Sequence, residues 1–180
     1  AAREALGLVF ARLGPEKSAD YAEAAAASIR SGEVSSEGLW EARRGGGLAG
    51  AVFCEVQAGR TAVVWPPQLV PEEPAQTAGR LLEAVSQWLA SQGVRVAHAL
   101  MERADPADDA LLRQGGFLPL ARLLYLASEQ IEFPASAPEG PLGFEPFAAG
   151  QQDRLTRLLA ATYEQSLDCP GLDGVRDIED

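Results

Sequence analysis

The sequence predicts an α/β (α+β) protein, a mixed and largely antiparallel sheet flanked by helices. Three observations lead there. The first thirty residues carry apolar side chains at helical spacing, residues 39–65 switch to strand period around glycine turns, and residues 78–126 return to helix, strand, helix and strand. At 180 residues, with 47% hydrophobic and 23% charged, the chain can bury a core of one or two domains.

Leu6, Val9, Phe10 and Leu13 fall on one helical face, and Gly14-Pro15 ends that helix. A second helix is expected from Ser18, as N-cap, to Arg30, with Gly32 as its stop and Tyr21, Ala25 and Ile29 facing the core. Residues 39–43 and 48–56 read as strands around Gly45-Gly46-Gly47, and 61–65 as a third after Gln57-Ala58-Gly59-Arg60. The result is an antiparallel meander. Pro66 and Pro67 predict a bulge, an edge or a strand that splits from its neighbour, because proline has no N–H for a ladder.

Ala78, Leu81, Leu82, Val85, Trp88 and Leu89 form the next apolar stripe, closed by Gly93. Residues 94–101 read as a strand buried on both faces, and Asp105 with Pro106 opens a short helix to Gln114. Residues 118–126 are expected to form a last strand. The proline- and glycine-bearing stretch 129–143 reads as a linker after a first domain of residues 1–128. Beyond it, 144–147 reads as a short strand and 153–167 as a helix with Leu155, Leu158, Leu159 and Tyr163 facing inward.

Composition narrows function by exclusion. A net charge of −11 argues against nucleic acid, which needs a basic face, although it would attract a cationic amine. Cys54 and Cys169 are too few for a disulfide framework; Cys54 lies in an apolar strand pattern and Cys169 in a turn-rich tail. With no leader pattern and no apolar run of about 20 residues, a soluble cytoplasmic protein without membrane contact is expected. No metal-binding cluster is expected.

The order of elements, with the strand–turn–helix at residues 62–91 and Gly116-Phe117 after the short helix, resembles the GNAT superfamily of N-acetyltransferases over residues 1–128. The resemblance implies acyl-CoA-dependent transfer of an acyl group, usually acetyl, to a small-molecule or peptide amine that attacks the thioester directly. The cosubstrate implied is acetyl-CoA. Its thioester carbonyl would lie near Leu69 and Val70, where Leu69-Val70-Pro71 loosely matches the family's strand end. Its pyrophosphate would lie against the helix N-terminus formed by Gln76, Thr77, Ala78, Gly79 and Arg80.

Counted back from Leu81-Leu82, Ala78 holds the last position of the family's Arg/Gln-x-x-Gly-x-Gly/Ala loop, Gln76 its first glycine and Glu73 its Arg/Gln. The family's acid, a Tyr four residues before the Gly-Phe pair, is Leu112 here. Glu55 and His98 are the candidate bases, each with a bland alternative as an outward strand carboxylate and a hydrogen-bonded core histidine.

The tail from Leu142 resembles the first strand and helix of such a domain. It either begins a second GNAT-like domain at residues 144–180 or lends residues 144–148 to the first as an edge strand. A paired second domain or a homodimer is a further expectation. The rivals to catalysis are a non-catalytic GNAT-like scaffold or regulatory domain, and an acidic interaction module of unrelated fold.

Overall fold

A computed structural model describes residues 2–101, 105–122, 127–132, 136, 140, 141, 143 and 146–164. The chain divides into two compact units that part between Leu118 and Pro119. The first holds helices α1 (Ala2–Phe10) and α2 (Pro15–Ser31) and strands β1 (Leu39–Arg44), β2 (Gly47–Gln57) and β3 (Thr61–Leu69). Helix α3 (Gln76–Ser91), strand β4 (Val96–His98) and helix α4 (Pro106–Gln114) follow. The predicted fold class is the one observed, a sheet ordered β1-β2-β3-β4 whose first three strands are antiparallel and whose last pair is parallel.

Local chemistry explains the meander. Arg44 pairs with Gly47 across a two-residue turn, and Gly45 and Gly46 both take positive φ (57° and 84°), the type I′ geometry that matches strand twist and needs glycine. Between Ala51↔Gln68 and Phe53↔Trp65, the single residue Val52 opposes both Pro66 and Pro67. The prolines thus sit in a bulge inside β3, where a missing N–H breaks no regular pair. Both are buried.

Alternation along β2 feeds two cores. Ala51 and Phe53 face α1 and α2, packing with Leu6, Val9, Phe10, Ala22 and Ala26. Phe53 stacks on Trp65 at 5.0 Å, and Phe10 meets that pair edge-on at 5.8 and 6.4 Å. Val52 and Cys54 face the other way, against Leu81, Leu82, Val85 and Leu89 of α3 and Leu112 of α4. Helices therefore cover both faces of the sheet, each burying an apolar stripe. The Cys54 thiol is buried as expected, donates to the Gly38 carbonyl at 3.3 Å, and is pushed up to about 12 by burial.

Several expectations are corrected. Helix α2 begins at Pro15 rather than at Ser18, since proline presets the first-turn φ and Gly14, at φ 84°, turns the chain into it. Its inner residues are Ala22 and Ala26, with Ala25 and Ile29 half-buried; Tyr21 is 51% exposed at the margin, its ring 5.8 Å from Phe10. Gly32 ends the helix in the left-handed conformation as predicted.

The run 94–101 yields only three strand residues, half-buried because β4 pairs on one side alone among the described residues. Asp105 caps α4 as expected, accepting from the Ala107 N–H at 2.8 Å. Residues 118–122 form no strand, and Leu118 is 80% exposed; residues 123–126 lie outside the described residues.

In the second unit the described residues form two 3₁₀ turns, Gln130–Glu132 and Ala149–Gln151, and helix α5 (Gln152–Tyr163). Leu155 is half-buried, but Leu158 and Leu159 are exposed, since among the described residues of this unit one helix and two short turns offer no layer to cover them. Pro146 and Phe147 are not in a strand; Phe144, Glu145, the Tyr163 side chain and Cys169 lie outside the described residues. Among the described residues no helix is long and apolar enough to cross a membrane.

Candidate functional site at the end of β3

β3 leads into the head of α3 through a tight turn. The Val70 N–H donates to the Ala49 carbonyl at 3.0 Å and holds the strand end on β2, and the Glu73 N–H returns to the Val70 carbonyl at 3.2 Å. Pro71 at the second position and Glu72 at the third, with φ 69°, make this a type II turn with a carboxylate residue where glycine is usual. The turn delivers Glu73 beneath the first turn of α3.

There the Glu73 carboxylate meets three kinds of donor power. Arg44, at the end of β1, grips it in a fork (Nε to Oε2 3.1 Å, Nη2 to Oε1 2.8 Å), and the Thr77 hydroxyl donates to Oε1 at 2.6 Å. The positive end of the α3 dipole adds to both. The Glu73 side chain is 6% exposed, whereas Arg44 reaches it from open solvent. The hydrogen bonds from Arg44 and then Thr77 hold the carboxyl down at about 2, and the same pairing raises Arg44.

Because the folded carboxyl titrates below its ordinary 4.5, its stabilisation is present above that value and is lost as pH falls toward about 2. E73Q is therefore expected to be less stable than the wild type at pH 7, with the difference closing between about pH 4.5 and 2. Urea midpoints across that range measure it; a difference independent of pH would contradict the assignment.

The residues expected at the cosubstrate lie at this corner, whereas Glu55 and His98 do not. Leu69 ends β3 with its side chain on the α3 core, while Gln76, Thr77, Ala78, Gly79 and Arg80 form the first turn of α3. Ala78 is buried, and Gln76 and Arg80 are exposed. The amides of the turn are already engaged: Thr77 N–H donates to the Pro74 carbonyl at 2.9 Å, and those of Ala78 and Gly79 to the Ala75 carbonyl at 3.0 and 3.4 Å. From Gly79 a groove of about 330 Å³ runs along α3 past Glu83, Ser86 and Gln87 to Gln114 and Gly115 at the end of α4. Gly79 lacks a side chain at the groove and a Cβ there would meet nothing within 4 Å.

β3 and β4 pair only at Thr61↔Val96, Ala62↔Ala97 and Val63↔His98, and β3 then runs six residues further to Leu69 with no parallel partner among the described residues. In open α/β sheets ligands are received outside the carboxyl ends of parallel strands, the region into which this end of β3 leads. Glu55, Val63 and His98 share one row across β2, β3 and β4, so the two candidate bases stand two strand spacings apart, roughly 10 Å. Both are half-buried. From that row to Leu69 is about 20 Å along β3.

Arg44 is the site residue that sequence reading missed. It lies 29 residues from Glu73, and only the registers of two hairpins bring them together. Another long-range pair joins Arg12, in the 3₁₀ turn Ala11–Leu13, to Asp108 on α4, with Arg12 Nη1 buried and unpartnered. Among the described residues no group of three or more His, Cys, Asp or Glu side chains is placed to hold a metal ion. No protein-family model and no curated protein matches this chain.

Proposed function

We propose that the first unit is an acyl-CoA-dependent N-acyltransferase domain of the GNAT type. The observation that carries the reading is the course of β3, which pairs with parallel β4 only as far as Val63 and His98 and then runs on through Leu69 into the head of α3. A crevice between parallel strands at their carboxyl ends is where an α/β sheet receives an elongated ligand. Bound acetyl-CoA would supply an activated acyl thioester to an amine acceptor, either a small molecule or a peptide.

In this reading the backbone of Leu69 and Val70, held on β2 by the Ala49 carbonyl, lines the crevice and orients the acyl group. The candidate bases His98 and Glu55 stand in a row about 20 Å along β3 from Leu69, beyond hydrogen-bond reach of an acyl group held there. In this reading the proton of the attacking amine therefore passes to water. The outer part of the cosubstrate would run along the groove from Gly79 to Gly115. The head of α3 does not fit its pyrophosphate while Glu73 lies there, because two anions would compete for one set of donors.

That misfit is the specific observation favouring the second reading, a non-catalytic GNAT-like scaffold or regulatory domain. Both readings are compatible with a cytoplasmic protein, for which the low cysteine content speaks, and with a second such domain begun at residue 144 or a homodimer. Calorimetry and thermal shift with acetyl-CoA separate them. Saturable binding at or below millimolar concentration is expected for the enzyme; no heat and no shift at that concentration would sink it.

A further inference from the structure

We infer that the acyl donor this domain prefers carries its thioester on an uncharged, amide-bearing arm, and that the phosphates of acetyl-CoA weaken its binding rather than anchor it. The inference rests on the acyl-transfer reading and names the donor class for the groove beside α3.

Its ground is the lining of that groove. Gly79, Glu83, Ser86 and Gln87 fall on one face of α3, and Gln114 and Gly115 close the other side at the end of α4. The rise from Gly79 to Gln87 is about 12 Å. The volume of about 330 Å³ lies at the small end of ligand sites, which run from roughly 300 to 1,000 Å³, so there is room for a slender arm. Two carboxamides and a hydroxyl offer donors and acceptors together, the pattern that pairs with the N–H and C=O groups of amides. Among the described residues, neither these three side chains nor Glu83 have a hydrogen bond or ion pair elsewhere in the chain, so all four are open to a ligand.

Phosphates call for cations, and among the described residues none lines the groove. Its one formal charge is the Glu83 carboxylate. Of the arginines nearest in sequence, Arg80 stands outside the lining and Arg113 is held by Asp109 at 2.8 Å. The same sign prevails around it: Glu73 already engages Arg44 and Thr77 at the head of α3, and the whole chain carries a net charge of −11. A donor bearing several phosphates is repelled at the groove and on its approach, whereas an uncharged arm is not.

Calorimetry with S-acetylpantetheine and with acetyl-CoA tests this in wild type, E83K and the double variant Q87A/Q114A, all at exposed positions and each checked for native unfolding. In about 0.01 M salt, wild type is expected to bind acetylpantetheine at least about tenfold tighter than acetyl-CoA. In about 1 M salt the screening length falls from about 30 Å to about 3 Å, so acetyl-CoA gains affinity and acetylpantetheine does not change. E83K closes most of the gap by strengthening acetyl-CoA alone, and Q87A/Q114A weakens acetylpantetheine at least about fivefold. Acetyl-CoA that binds as tightly as acetylpantetheine, or loses affinity with salt, would overturn the preference and leave the acyl-transfer reading standing. A preference untouched by E83K and by Q87A/Q114A would overturn the groove as its seat. Binding of neither thioester would overturn the inference and the reading together.

Discussion

Phe10→Ala is expected to lower the free energy of unfolding by about 3–5 kcal/mol. Phe10 is 1% exposed and closes the α1–α2 side of the sheet. Its ring lies edge-on to Trp65 and Phe53 and tilted on Tyr21, so removing it opens a cavity with three aromatic walls at once. The surrounding rings stand on a strand pair and a helix whose backbones are fixed by hydrogen bonds, which limits collapse into the space. For a domain held by about 5–15 kcal/mol, such a loss takes a large share of the margin. Urea unfolding reads it, and a loss below about 1 kcal/mol would mean that α1 is not seated on this face.

Gly38→Ala is expected to cost about 3 kcal/mol or more, although it adds one methyl group. Gly38 ends the 3₁₀ turn Ser36–Gly38 that leads into β1, and it is buried. A Cβ built there would lie 1.9 Å from the Cys54 carbonyl oxygen and 3.1 Å from its carbon. Those are backbone atoms of the central strand, so no rotamer change relieves the clash. Either β1 and its turn move off β2, or β2 itself distorts, and both routes break the contact of the Cys54 thiol with the Gly38 carbonyl. Guanidinium or thermal unfolding of the soluble variant measures the effect; near-wild-type stability would show that the turn does not rest against Cys54.

Gly38 also marks where sequence reading stops. In Ser35-Ser36-Glu37-Gly38 it looks like a loop glycine, and only the tertiary approach of β2 makes it obligatory. The elements set by local chemistry were legible: the Gly45-Gly46 turn, the meander, the Asp105-Pro106 helix start and the α3 stripe all depend on residues a few positions apart. The run 94–101 misled because apolar composition does not distinguish strand pairing from burial in an irregular segment. Ala99 and Met101 pack against the α3 core although neither lies in a strand.

The candidate site divides on the same line. The turn after β3 and the first turn of α3 are contiguous, so their meeting follows from the chain itself. Arg44 is brought to Glu73 by the summed registers of two hairpins, which a period-two pattern does not fix. What Glu73 does therefore emerges only in three dimensions, where it becomes the shared partner of Arg44 and Thr77.

The buried Cys54 thiol has a chemical consequence of its own. With its ionisation pushed up to about 12 by burial, the thiol stays protonated at pH 7. The sulfur is also shut off from ligands and oxidants by the strand pair around it. A two-step relay, in which an acyl group rests on this sulfur before reaching its acceptor, is closed to it, as is disulfide exchange. If this domain moves acyl groups, Cys54 is no way station for them.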